Sequence, residues 1–122
     1  MAALAAAEAG ADVILAEEDV ALGGRLLAET EEVDGQDGGD WAAEMAARLG
    51  AMPNVRIMTR TAVTGAYDGG TFGALEQTAP DIEGRPHAPA GCFWRIAARR
   101  AVLAAGALER PVAFPNNDRP GV

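Results

Sequence analysis

The opening stretch MAALAAAEAGADVILAEED restricts the fold more than any other part of the chain. Residues 1–9 are almost all Ala and Leu, the side chains that lose least on entering a helix. Gly10 stands where a helix ends in a left-handed glycine cap. Val13, Ile14, Leu15 and Ala16 then form a continuous apolar run rich in β-branched residues. A run of this kind, apolar on both faces, reads as a buried parallel strand. It stops at Glu17, Glu18 and Asp19. Helix, glycine turn, buried strand and acidic strand end make up the second half of a βαβ unit, so an α/β fold with a parallel sheet is expected.

Downstream, residues 21–27 hold the pair Gly23–Gly24 followed by Arg25, and the acidic, glycine-rich stretch 29–40 reads as an exposed loop. Asp40 is placed to cap a helix over 41–49, closed by Gly50, with Trp41, Met45 and Leu49 forming one apolar stripe. Residues 55–57 read as a further strand. From 59 to 99 the pattern changes to short β pieces, at 61–67, 71–77 and 93–97, with Asp68–Gly69–Gly70 as a tight turn. The stretch 78–91 carries Pro80, Pro86 and Pro89 and reads as loop. Residues 101–105 form another apolar run ending at Gly106, which predicts a buried strand, and the tail from Pro111 is irregular.

Composition removes whole classes of function. With 18 acidic against 10 basic side chains in 122 residues, the net charge of −8 argues against a nucleic-acid partner, which needs clustered positive charge. No apolar run approaches the roughly 20 residues of a membrane helix. The single cysteine, Cys92, excludes an internal disulfide framework and a paired-cysteine metal site. The expectation is one acidic, soluble, cytoplasmic domain with no metal site.

The strand-end carboxylates carry the functional signal. In a dinucleotide-binding βαβ unit, the acidic residue closing the second strand accepts hydrogen bonds from the adenosine ribose. It lies about 20 residues beyond a glycine loop that lets the pyrophosphate approach the chain. Glu17 holds the strand-end position, with Glu18 beside it. Counting back places the glycine loop just ahead of Met1. A solvated acidic loop is the alternative for this triplet, and Gly23–Gly24–Arg25 close behind it favours the cofactor site. The two glycines would admit backbone next to the cofactor. Arg25 would offer donors to a phosphate or the adenine face, and an ordinary surface arginine fits it equally well. At Ala105–Gly106 a strand running into glycine would pass closely over a dinucleotide, while a core strand meeting a turn fits the same spacing. His87 reads as a solvated loop histidine, Cys92 as a small apolar residue, and Trp41 and Trp94 as packing anchors. No residue is assigned a catalytic role.

Four segments together give the chain a family resemblance: AEAGADVILAEED at 7–19, LGGRLL at 22–27, the stretch 40–77, and FWRIAARRAVLAAGALERPVAFPNNDRPGV at 93–122. It resembles the α subunits of heterotetrameric sarcosine oxidases, flavin- and nicotinamide-dinucleotide-binding oxidoreductases. The resemblance implies an incomplete FAD/NAD(P)-binding, Rossmann-like three-layer fold. Residues 1–122 would form part of the dinucleotide-binding domain and 59–99 an inserted small antiparallel sheet. It implies NAD in this domain, with FAD as the alternative. FAD and FMN would serve the intact enzyme, and the partners would be the other subunits of a hetero-oligomeric oxidase.

By position, Glu17 would hold the ribose, and Gly24 and Arg25 would line the adenosine and phosphate side. Val63 would bring strand backbone to the adenine. Ala105–Gly106 matches an Ala-Thr-Gly turn, with Ala105 standing where the family has threonine. The family has a strand and GxGxxG loop ahead of the Met1 position and a continuation past Val122, so a fragment is expected. In the intact enzyme the activity implied is oxidative demethylation of sarcosine to glycine. The alternatives are a subunit of a related flavoprotein amine or opine dehydrogenase, or a truncated non-catalytic remnant.

Overall fold

A computed structural model describes residues 1–78 and 90–107. The first helix, α1 (Ala2–Glu8), ends as the sequence predicts. Gly10 takes a φ of 84°, its N–H donates to the Ala7 carbonyl and the Ala11 N–H to that of Ala6, a Schellman closure. That turn delivers the chain into β1 (Val13–Ala16), which pairs in parallel with β4 (Val55–Met58), Val13 opposite Val55 and Ala16 opposite Met58. Asn54 fixes the two ends together. Its side-chain amide donates to the carbonyls of Ala7 and Ala11 at 2.9 and 2.8 Å. Replacing Asn54 by Ala removes both bonds, leaving Ala7 only its bond from Gly10, and is expected to cost about 1–2 kcal/mol in urea unfolding.

The crossover between the parallel strands runs through a hairpin and α2 (Gly38–Gly50). Here the structure corrects the sequence. The stretch 29–40 is not plain loop, because β2 (Glu32–Val33) and β3 (Gln36–Asp37) pair across Asp34–Gly35. Both turn residues have positive φ, 54° and 78°, the conformation that Asp-Gly hairpins favour. The helix cap is Asp37 rather than Asp40, its Oδ1 accepting from the N–H groups of Gly39 and Asp40. At the other end Gly50 is still helical and Ala51 caps it in right-handed geometry. The apolar stripe holds: Leu49 is buried, and Trp41 and Met45 half-buried.

Residues 61–97 contain the expected antiparallel sheet, in the order β5 (Thr61–Tyr67), β6 (Thr71–Gln77), β7 (Gly91–Ala97). A bulge at Thr64 puts two residues of β5 opposite one step of β6. Alternation along the parallel pair turns Val13, Leu15, Val55 and Ile57 to one face and Ile14, Ala16, Arg56 and Met58 to the other. The Arg56 guanidinium lies 4.5 Å from the centre of the Trp94 ring, so the second face meets the antiparallel sheet. The first is left to α1 and α2, which contact β1, β4 and each other, with Arg48 of α2 ion-paired to Glu8 of α1 at 3.0 Å. The architecture is mixed α/β: helices, a parallel pair, then a small antiparallel sheet.

The strand predicted over 101–105 does not form. Residues 101–107 are exposed and carry no ladder, with Val102 and Leu103 exposed to 73% and 91%. The physical reason is that no strand edge among the described residues receives them. The prolines of 78–91, His87 and the tail beyond Ala107 lie outside the described residues.

Candidate functional site

The carboxyl ends of β1 and β4 lie side by side, and the predicted ribose carboxylate is there. Glu17 extends the parallel ladder by one step, its N–H donating to the Met58 carbonyl at 2.9 Å. Its own carbonyl then accepts from the Thr61 N–H at 2.7 Å, so the edge of the parallel pair runs directly into β5. The half-buried side chain curls back, and Oε1 accepts from the Asp19 N–H at 3.1 Å. No donor among the described residues reaches Oε2. Glu18 and Asp19 are exposed beside it.

The glycine pair divides into two roles. Gly23 has a φ of 135°, and a Cβ there would stand 2.8 Å from Leu27 Cδ2 and 3.1 Å from Ala42 Cβ. Its bareness is explained by close packing against α2. Gly24 begins a 3₁₀ turn, Gly24–Leu27, with a φ of 53° and open space where a Cβ would be. Gly23→Ala is therefore expected to destabilise by about 2 kcal/mol or more, and Gly24→Ala by about 1 kcal/mol, compared by thermal melts. Arg25 is exposed and ion-paired with Glu29, four residues further along the chain, so the structure gives it a local partner.

Val63 lies on β5 opposite Ala74, just before the bulge, and is 53% exposed. Backbone hydrogen bonding brings the Glu17 end and the start of β5 together. No hydrogen bond among the described residues ties Ala105 or Gly106 to this edge; both are exposed, and Gly106 has a φ of 69°. Cys92 and Trp94 are half-buried in β7, and the Trp94 Nε1–H donates to Glu76 at 2.7 Å. No group of three or more His, Cys, Asp or Glu among the described residues is arranged to hold a metal ion.

Over 122 residues, 99% of this chain, the sequence is 47% identical to the sarcosine oxidase subunit alpha of Rhizobium meliloti (strain 1021). The chain is homologous to one segment of sarcosine oxidase α subunits. The corresponding subunits of Corynebacterium sp. strains P-1 and U-96 are 38% and 36% identical over 128 residues. The chain spans only about an eighth of each relative's length, 12% of the first and 13% of the others. No family model matches it. The relatives' names make this a segment related to one subunit of a multi-subunit oxidoreductase. No described helix is long and apolar enough to cross a membrane.

Sequence reasoning passed over one residue at the sheet edge. Arg60, between β4 and β5, has a φ of 52°, and its N–H donates to the Asp19 carbonyl at 2.8 Å. A left-handed non-glycine residue has no signature in a single sequence.

Proposed function

We propose that this chain forms the adenosine-holding part of a dinucleotide-binding, Rossmann-like domain in a sarcosine oxidase α-like oxidoreductase. The observation that carries the proposal is the Glu17 carboxylate, at the carboxyl end of a parallel strand, with one oxygen engaged by Asp19 and the other free. In open α/β sheets ligands bind in the crevice outside the carboxyl ends of the strands. NAD is the favoured occupant and FAD the alternative, since both present the same adenosine ribose. Glu17 would accept from the ribose hydroxyls, Gly24 would leave room for the adenosine side, and β5 backbone near Val63 would border the adenine. The nicotinamide or flavin end would supply the redox chemistry. The residues described here bind and orient, and none of them handles a substrate proton.

In the intact enzyme, with other subunits, the reaction would be oxidation of sarcosine to glycine. Calorimetric titration of NAD and FAD into the chain and into Glu17→Gln tests the binding reading. NAD is expected to bind the parent, and the variant about tenfold more weakly, the effect of losing one charge-assisted hydrogen bond. No binding to the parent, or equal affinity in both, removes the proposal.

A further inference from the structure

The link between β4 and β5 retains a side chain where glycine would sit freely. Arg60 occupies the left-handed region at a φ of 52°, and its conformation is set from both sides. Its N–H donates to the Asp19 carbonyl at 2.8 Å, and its carbonyl accepts from the Gln77 N–H at 2.9 Å. Left-handed backbone disfavours any residue with a Cβ, and a strained residue persists only where its surroundings over-determine it. The Arg60 side chain is exposed, and among the described residues it makes no hydrogen bond and no ion pair. This holds although Glu17, Glu18 and Asp19 lie on the neighbouring strand end. The next residue, Thr61, donates its N–H to the Glu17 backbone carbonyl, so Arg60 is the chain neighbour of a residue bonded to the Glu17 backbone.

We infer that Arg60 is an adenine-binding residue, its guanidinium covering the face of the base whose ribose Glu17 holds. This rests on the dinucleotide reading above. A planar, permanently charged guanidinium stacks on aromatic faces, and a base lying outside the carboxyl ends of β1 and β4 offers such a face. Glu17 beside it disfavours the alternative, capture of an extra phosphate on the ribose.

The test titrates NAD and NADP into the 122-residue chain and into Arg60→Gly and Arg60→Gln, with a thermal melt of each. Arg60→Gly relieves the backbone, so its melting temperature is expected to be equal or higher while its NAD dissociation constant rises about fivefold. Arg60→Gln, which keeps the strain, is expected to lose NAD affinity to the same degree. Unchanged NAD affinity in both variants overturns the assignment and leaves the dinucleotide reading standing. A loss confined to NADP, or one matched by an earlier melt of Arg60→Gly, overturns it in favour of phosphate binding or a structural role. A parent chain that binds no NAD overturns the dinucleotide reading and this assignment together.

Discussion

Placing a strand and a GxGxxG loop ahead of Met1 is expected to tighten NAD binding by about a hundredfold over the 122-residue chain. On the proposed reading, Glu17 supplies contacts to the sugar end of the dinucleotide. Pyrophosphate is held by backbone amides of a glycine loop that follows a strand, and two such charge-assisted bonds contribute about 3 kcal/mol, roughly two decades of affinity. The fold says where the added strand goes. Helices α1 and α2 lie together, and parallel crossovers in one sheet are almost always right-handed. Two crossovers of the same hand, with helices on one face, step across the sheet in one direction. The added strand therefore pairs with the edge of β1 opposite β4, and its loop opens beside Glu17. Calorimetry on both chains gives the affinity ratio, and hydrogen exchange on β1 reports the new pairing. Equal affinities, or a β1 edge no better protected, remove the phosphate-loop argument.

The parts of the fold legible in the sequence were those fixed by local chemistry. Gly10 caps α1 because only glycine enters left-handed backbone freely, and the run at 13–16 pairs in parallel as expected, but it is half-buried rather than buried, with Ile14 49% exposed. The antiparallel strands emerge at 61–67 and 71–77, where turn residues bound them. The misses had two physical causes. Asp37 and Asp40 are equally good capping chemistry three residues apart, and the hairpin just before α2 decided between them. The apolar run at 101–105 reads as a strand, but forming one requires a partner edge, which is a non-local property. The candidate site divides the same way. Glu17 was legible because an acidic residue ending an apolar strand is a local pattern. The pair Gly23–Gly24 was legible as a turn, whereas the closeness of Gly23 to Leu27 and Ala42 was not, since it depends on α2. Arg60 left no trace, because its significance lies in a backbone angle.

Ala74→Asp is expected to unfold the chain, whereas Leu75→Asp, one residue along the same strand, leaves it folded. The two side chains point to opposite faces of the central strand β6. Ala74 is fully inaccessible, paired with Val63 on one side and Trp94 on the other, on the face that meets Arg56 of the parallel pair. A carboxylate there has no cation to pair with that is not already stacked on Trp94, and an uncompensated buried charge costs about 3–5 kcal/mol, a large share of what a domain of this size has. Leu75 is 43% exposed opposite Phe93, itself 63% exposed, so an aspartate remains in water and costs about 1 kcal/mol of lost packing. Far-ultraviolet circular dichroism and urea midpoints separate the outcomes. The same pair tests whether the antiparallel sheet holds the binding edge in place: Thr61 and Arg60 reach Glu17 and Asp19 only while β5 is anchored to β6. NAD affinity should therefore vanish in Ala74→Asp and survive in Leu75→Asp. If both variants stay folded with equal stability, Trp94 and Arg56 are not a packed interface, and the sheet does not position the site.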